Sequence, residues 1–237
     1  MASIVDNRGF NQGFAPSPTL AIRTERRIQA MLAEMDLRAP RAILELGCGT
    51  GEMSDLLAAR TTAAVVGTDL CAPFIQAAAS RYQRPNLSFA VMDLTAPELP
   101  KGIGRTFDYI VGNGILHHLH DDLPILLPRL RNLLAPGGRL IFWEPNLCNP
   151  YVFLIFKIPC LRRWARLEPA EMAFSKQELT GLFRAARFND LNIGCRDFLV
   201  PNLPLCLVKP VVFIGDWVEK LPLLSQLAQS VFVSAGT

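Results

Sequence analysis

A glycine-rich turn follows the first strongly apolar run of the chain and is the first candidate for a ligand site. Residues 43–46 lead into Gly47, Gly49 and Gly51. Glycines after a buried strand let the backbone approach a ligand, and the next helix offers free N–H groups. The dinucleotide-binding spacing is G-x-G-x-x-G, but Glu52 occupies the third glycine position here. An acid there would repel a pyrophosphate, whereas it is compatible with a cofactor that carries a sulfonium and an ammonium group.

Three polar residues stand where later apolar runs end. Asp69 lies eighteen residues after the last glycine of the turn, where a carboxylate can accept hydrogen bonds from both ribose hydroxyls. Asp93 ends the next run, with Met92 and Leu94 as apolar neighbours for an adenine ring, and Asn113 ends the run after that. Each could instead cap the helix that follows, but polar residues at successive strand ends favour one shared ligand site.

The histidines of the chain are the candidates for a catalytic base. All three lie in "ILHHLH", just after the run that ends at Asn113, and we prefer His118, then His117, for this role. Glu144, which ends the fifth apolar run, is the next candidate. The alternative is that the two histidines pack against or cap the next helix and that Glu144 caps a loop. No His, Asp or Glu set stands at metal-ligand spacing, so the sequence predicts no metal.

The elements that must position these residues alternate between strand and helix. Nearly continuous apolar strands separated by helical patterns predict an α/β fold with a doubly wound, mostly parallel, seven-stranded sheet covered on both faces. The capping-box spacing of Ser175 and Glu178 begins a later amphipathic helix. The predicted strands are 42–46, 63–69, 87–93, 107–113, 139–145, 189–198 and 230–235, and the predicted helices are 19–35, 52–60, 71–82, 121–134 and 175–188.

The chain is interpreted as one domain with additions around its core. Residues 1–40 form an N-terminal lid, 41–146 the cofactor-binding core, and 175–198 with 228–237 complete the sheet. Residues 147–174 and 199–227 are apolar cap insertions, the first irregular and the second made of short helices. The caps line an apolar pocket, form a homodimer interface or rest on a membrane surface, and the sequence leaves these three alternatives open.

Two groups of residues before the first strand could contribute to the site. Phe10, Asn11 and Phe14 are candidates for the lid. The arginines at 23, 26 and 27 could meet an anionic acceptor or a cofactor carboxylate, or could form a solvated helix face.

Composition excludes several classes of protein. The chain has 237 residues, half of them hydrophobic, and a formal net charge of +3, which is too small to argue for a nucleic-acid partner. The apolar stretches are shorter than the roughly 18–20 residues of a membrane-spanning helix, and the N-terminus lacks the pattern of a secretory signal. The six cysteines show no C-x-x-C pair and are interpreted as reduced thiols. A cytoplasmic location is expected.

The ordered set of motifs resembles the class I S-adenosylmethionine-dependent methyltransferases of the small-molecule type. The matching segments are "ELGCGTG" (45–51), "GTDL" (67–70), "VMDL" (91–94), "FDYIVGNGILHHL" (107–119) and "LAPGGRLIFWEP" (134–145). The resemblance implies that Glu45 and the first two glycines line the methionine part of S-adenosylmethionine. It assigns the ribose to Asp69, the adenine to Asp93 and Leu94, and the amino-acid end to the backbone of Asn113. The expected cofactor-binding residues are Glu45, Gly47, Cys48, Gly49, Gly51, Asp69, Leu70, Met92, Asp93, Leu94 and Asn113.

Together with the apolar caps, the resemblance predicts methyl transfer to oxygen or nitrogen of a small, partly apolar acceptor in lipid, quinone or secondary-metabolite biosynthesis. A base is needed only if the acceptor must lose a proton. No "PPY"-type segment follows the fourth strand, which favours a small-molecule acceptor over nucleic acid. Two alternatives remain: a protein that binds the cofactor without methylating, and a different enzyme on the same fold.

Overall fold

A seven-stranded sheet organises the computed structural model, which describes residues 17–38, 41–96, 106–200 and 203–237. The strand order is β3-β2-β1-β4-β5-β7-β6, in which β1 to β5 are parallel and β7 is antiparallel to both neighbours. The mostly parallel, doubly wound α/β prediction is therefore confirmed. The strands are β1 Ala42–Leu46, β2 Ala64–Asp69, β3 Leu87–Val91, β4 Phe107–Asn113, β5 Leu134–Pro145, β6 Asp190–Arg196 and β7 Ser230–Gly236. The helices are α1 Pro18–Leu32, α2 Glu52–Arg60, α3 Ala72–Arg81, α4 Leu123–Asn132, α5 Pro150–Lys157, α6 Pro159–Trp164, α7 Lys176–Ala185 and α8 Leu205–Val218, with 3-10 helices at Leu116–Asp122 and Ser225–Leu227.

The sheet register brings the ends of the central strands to one edge. Leu46 of β1 pairs with Thr68 of β2 and with Gly112 of β4, so the three strands end level with one another. Because the strands are parallel, the turns that follow them leave the sheet on the same side. The candidate site residues follow these strand ends.

Apolar side chains cover both faces of the sheet, as the continuous apolar strands require. On one face Phe142 packs with Leu127 of α4 and Phe183 of α7. On the other face Ile141 packs with Ile28 of α1 and Leu57 of α2. Two-sided burial fixes the sheet between its helices and holds the strand ends in place.

The cap differs from the sequence prediction in its regularity. Residues 147–172 contain the helices α5 and α6, and α5 begins because the side chain of Asn149 accepts a hydrogen bond from the backbone N–H of Val152, 3.0 Å away. The segment expected to hold short helices contains the fourteen-residue helix α8. The prolines were expected to break this segment into short helices. Instead Pro204 precedes α8 as its N-cap, and Pro210 is accommodated inside the helix.

Two smaller boundaries also differ. The helix expected at 121–134 is a 3-10 turn followed by α4. Strand β5 begins at Leu134, five residues before the predicted start, because Leu134 pairs with Phe107 across a register shift.

The lid candidates Phe10, Asn11 and Phe14 lie outside the described residues. Among the residues that are described, no helix has the length and apolarity needed to cross a membrane.

Candidate active site

The glycine turn adopts a conformation that only glycine takes readily. Gly47, Gly49 and Gly51 have φ values of +65°, +53° and +86°, in the left-handed region. A Cβ on Gly51 would lie 2.8 Å from Cβ of Ala78, so the turn packs closely against α3. A Cβ on Gly49 would meet no atom within 4 Å. The middle of the turn therefore opens onto free space that a ligand could occupy.

Asp69 joins the glycine turn to the end of β2. One carboxylate oxygen accepts a hydrogen bond from the backbone N–H of Gly49 at 2.9 Å, and the other accepts from Cys71 at 2.8 Å. The next residue, Leu70, is an exposed apolar side chain at this edge of the sheet. The carboxylate is thus fixed beside the open part of the turn.

Asp93 forms a local turn of its own. Its carboxylate accepts hydrogen bonds from the hydroxyl of Thr95 at 2.7 Å and from the backbone N–H of Thr95 at 2.8 Å, and these bonds lower its pKa. Met92 is buried, while Leu94 is partly exposed beside it. The Asp93 carboxylate therefore closes a turn instead of capping a helix among the described residues, and its role toward an adenine stays a prediction.

Glu45 is a buried acid beneath the glycine turn. Burial raises its pKa to about 8, although the hydrogen bond from the Ser54 hydroxyl opposes the change. The pKa of the Cys48 thiol is also raised, by burial and by the negative charges of Glu45 and Asp69. Cys48 is therefore a packing residue of the turn and not a nucleophile.

The charge of this edge fits a cationic ligand. Glu52 and Asp69 border the turn, and a nearby cation, Arg81, is already paired with Glu52 at 3.1 Å. Glu45 beneath them is mostly protonated at neutral pH, because its pKa is about 8. A pyrophosphate would meet these acids at close range, whereas a sulfonium and an ammonium would be attracted to them. The open space over Gly49 and these hydrogen-bond-accepting carboxylates fit S-adenosylmethionine.

Asn113 is held in place by a buried arginine from α1. The side-chain oxygen of Asn113 accepts a hydrogen bond from Arg27, whose guanidinium also donates to Asp197 at 2.7 Å and stacks 5.1 Å above the ring of Trp143. The solvated-face interpretation of the α1 arginines is wrong for Arg27, because α1 packs on the sheet and only 7% of this residue is exposed. Arg27 therefore positions the end of β4.

Glu144 closes the start of the 3-10 helix that follows β4. Its carboxylate accepts hydrogen bonds from the backbone N–H groups of Ile115, Leu116 and His117, at 3.1, 2.8 and 3.2 Å. It also contacts Nδ1 of His117 at 2.9 Å. A carboxylate with four such partners is a positioning group, and it fixes the ring of His117.

Two acids from the cap complete a cluster around the adjacent histidines. Oε1 of Glu171 lies 3.4 Å from Nε2 of His117 and 3.2 Å from Nδ1 of His118. Glu168 lies 3.8 Å from the same nitrogen of His118. His117 therefore lies between two carboxylates, one from the sheet and one from the cap.

Backbone contacts hold the cap acids in place. The N–H of Met172 donates to the carbonyl oxygen of His117 at 3.0 Å. Arg162 of α6 donates to the carbonyl oxygens of Glu168 and Glu171, at 2.9 and 3.0 Å. The cap segment is thus tied both to the histidines and to α6.

The cluster changes the acid–base properties of His117. Burial by itself lowers the pKa of the imidazole, but the hydrogen bonds and charges of Glu144 and Glu171 outweigh burial and raise the pKa to about 9. The spacing of this cluster is also compatible with a metal ion. One ligand atom each from His117, His118 and Glu171 lies within 4.8 Å of the other two. The ion pairs account for the same spacing without a metal.

The sequence did not identify the cap acids or the role of Arg27. Glu171 lies 53 residues after His118, in a segment interpreted as an irregular insertion. A usable signal was present, since Glu168 and Glu171 are acids in an otherwise apolar and basic stretch. Arg27 could be recognised only from its buried place between α1 and β4.

Comparisons with known proteins agree with this architecture. Residues 44–140 match the family model of a methyltransferase domain. The chain is 38% identical over 155 residues to a trans-aconitate 2-methyltransferase of Methylobacterium radiotolerans, covering 63% of this chain and 57% of that protein. It is 32% identical over 134 residues to an uncharacterised methyltransferase of Mycobacterium tuberculosis, covering 55% and 66%. The chain thus spans somewhat more than half the length of these two relatives.

Solved structures share the fold across most of the chain. The phosphoethanolamine N-methyltransferase 2 of Haemonchus contortus, in complex with S-adenosylmethionine, aligns with a TM-score of 0.63 at 14% identity, covering 90% of this chain and 52% of that one. The family match and the named relatives show that residues 44–140 are a methyltransferase domain, and the sheet order is that of the class I S-adenosylmethionine-dependent methyltransferase fold.

Proposed function

We propose that this protein transfers a methyl group from S-adenosylmethionine to an oxygen or nitrogen of a small, partly apolar acceptor. The observation that carries the proposal is the position of the His117 cluster, which follows β4 at the same edge of the sheet as the acid-lined glycine turn. Under this proposal, a cofactor site and an acid–base group share the edge of the sheet where ligands bind in this fold.

Bound at the turn, S-adenosylmethionine supplies an electrophilic methyl group on a sulfonium. Asp69 would hold the ribose, Glu45 and the glycine backbone the methionine part, and Asn113 the amino-acid end. The protein mainly has to place the acceptor in line with the methyl group, and such positioning contributes several kcal/mol, or roughly 7–11 in well-oriented systems. Arg27 supports it by fixing Asn113.

The geometry favours His117 over His118 for handling the acceptor's proton. Glu144 fixes Nδ1 of His117, which leaves Nε2 to face Glu171 at the longer distance of 3.4 Å. An acceptor hydroxyl or ammonium could replace this weaker contact. Because a pKa of about 9 keeps His117 mostly protonated at neutral pH, it would take up the acceptor's proton through Nε2 only in its neutral form, so transfer to a hydroxyl should rise as the pH rises toward 9.

The negative charges around His117 limit which charge the acceptor can carry. The first relative is named for trans-aconitate, which carries several carboxylates. In this chain Glu144, Glu168 and Glu171 surround the histidines, so a polyanionic acceptor would be repelled. We therefore favour a neutral or cationic acceptor with apolar parts, of the kind used in lipid, quinone or secondary-metabolite biosynthesis. The cytoplasmic location stays a prediction.

A transfer assay tests the proposal. The protein is incubated with methyl-labelled S-adenosylmethionine and a panel of hydroxylated lipids, quinols, amines and trans-aconitate, and S-adenosylhomocysteine release is measured. We expect turnover with an apolar hydroxyl or amine acceptor and none with trans-aconitate. His117→Gln should bind the cofactor normally yet lower transfer to a hydroxyl by about 10²-fold or more. His120→Gln is the matched control, because His120 pairs with Asp121 and Glu178 instead. Cofactor binding without turnover on any acceptor would favour the non-catalytic alternative.

A further inference from the structure

The cap exposes large apolar side chains on two helices. On α5, Tyr151, Phe153 and Leu154 face solvent, while Val152 and Phe156 are buried. On α8, Phe213 and Trp217 are 67% and 63% exposed, and only Val208 and Gly215 are buried. Exposed apolar surface on this scale marks an interaction site, since single exposed apolar residues are common but contiguous groups are not.

The segment that follows α8 contacts the start of α5 and so links the two exposed helices. The turn after α8 lies against the start of α5, because the side chain of Asn149 donates to the carbonyl oxygen of Leu227 at 2.7 Å. Asn146, three residues earlier, donates to the carbonyl oxygen of Gln226 at 2.8 Å. Within the same turn Leu223 is 81% exposed. We call α5, α6, α8 and residues 221–227 the apolar cap face.

The charges of the apolar cap face are predominantly positive. Residues 150–166 contain one lysine and three arginines and no acid. Lys209 and Lys220 add two cations on and after α8. The two acids in this region are already engaged by other residues of the chain. Asp216 pairs with Arg26 at the surface at 2.5 Å, and Glu219 accepts from the backbone N–H of Asp197 at 2.8 Å.

This combination matches the interface of an anionic bilayer. Exposed tryptophans, Trp164 and Trp217, stand among cations, and Nζ of Lys220 lies 5.9 Å from the ring of Trp217. Amphipathic aromatic rings and cations concentrate at the level of lipid headgroups. A symmetric dimer through the same face would bring like charges together. The fourteen residues of α8 span about 21 Å, too short to cross the roughly 30 Å hydrocarbon layer.

We propose that the apolar cap face is a monotopic anchor that inserts into the headgroup region of an anionic lipid bilayer. The anchor lies close to the chemistry, because Phe156 on the buried side of α5 packs edge-on against the ring of His117 at 6.3 Å. The acceptor would therefore reach His117 from the membrane. This part rests on the proposed methyl transfer and assigns its acceptor to lipid-soluble molecules with a polar headgroup or ring.

Vesicle sedimentation tests the anchor without any need for the acceptor. Full-length protein is mixed with vesicles of phosphatidylcholine alone or of phosphatidylcholine with phosphatidylglycerol. We expect sedimentation with the anionic vesicles, weaker binding at high salt, and about tenfold or more loss in Phe213→Glu/Trp217→Glu. The matched control is Ile125→Glu, which places the same charge at an equally exposed apolar position on α4, outside the cap face, and should bind like the wild type.

Two results would overturn the anchor. One is wild-type protein that stays in the supernatant with anionic vesicles. The other is a dimer in solution that Phe213→Glu/Trp217→Glu makes monomeric, which would assign the face to a second copy of the chain. Calorimetric binding of S-adenosylhomocysteine without vesicles separates the two proposals, since failure of the anchor leaves cofactor binding intact.

Discussion

Replacing Glu171 by glutamine should lower the pKa of His117. The substitution keeps the shape of the side chain and removes the negative charge 3.4 Å from Nε2 of His117. Three groups with charge or titratable protons face this ring: Glu144 from β5, Glu171 from the cap, and the neighbouring ring of His118, whose centroid is 4.2 Å away. The experiment therefore isolates the contribution of the cap.

The size of the effect follows from the two carboxylates. Together they raise the pKa of His117 from 6.5 to about 9 against the opposing effect of burial. Glu144 makes the shorter contact, at 2.9 Å, and stays in place in the variant. Glu171 alone should then account for roughly one pH unit, the low end of the range for a single opposite charge at this distance.

Nuclear magnetic resonance can measure the pKa of His117 directly, because the chain has only three histidines. Titration of protein labelled with ¹⁵N-histidine should show His117 with a pKa near 9, falling to about 8 in Glu171→Gln. The matched control is Glu178→Gln, which removes the carboxylate that contacts His120 at 2.9 Å and should change His120 alone. A wild-type His117 that titrates below 7, or one that Glu171→Gln leaves unchanged, would refute the arrangement of the cluster.

Three further predictions concern the cofactor edge. Asp69→Asn should weaken S-adenosylhomocysteine binding by about tenfold or more in calorimetry while leaving the circular dichroism spectrum unchanged, because it removes a charged hydrogen-bond acceptor. Glu45 has a folded pKa of about 8, above its ordinary 4.5, so its neutral form stabilises the protein at low pH and that stability is lost as the pH rises through 8. Urea unfolding of Glu45→Gln should therefore show a smaller decline between pH 5 and 8 than the wild type; equal declines would refute the assignment. Gly51→Ala should destabilise by about 1–3 kcal/mol, because φ is +86° and the new Cβ would lie 2.8 Å from Ala78. The control Gly181→Ala, in α7 with no atom near its Cβ, should instead stabilise slightly.

The sheet could be predicted from the sequence because its signals are local. The run 42–46 and the helix 52–60 have the boundaries expected, since an apolar run, a glycine turn and a helical pattern follow each other directly. The capping box of Ser175 and Glu178 is likewise a contact between residues three apart, and it is present. The cap could not be predicted in the same way, because prolines within 199–227 suggested breaks where α8 continues.

The site was predictable as far as strand order determines it. Asp69, Asn113 and Glu144 lie at strand ends that parallel pairing brings to one edge, so their positions follow from the alternation of elements. The contacts of Glu171 and Arg27 could not be predicted, since each depends on how a segment outside the core folds back over the sheet. The catalytic roles of His117, His118 and Glu144 stay predictions.

The most direct test of the account is calorimetric titration of the wild-type protein with S-adenosylmethionine, S-adenosylhomocysteine and NADH. The acid-lined turn predicts micromolar binding of the first two, weakened in Asp69→Asn, and no binding of NADH. Binding of NADH alone would contradict the account, because a pyrophosphate would then occupy the edge where Glu52 and Asp69 lie.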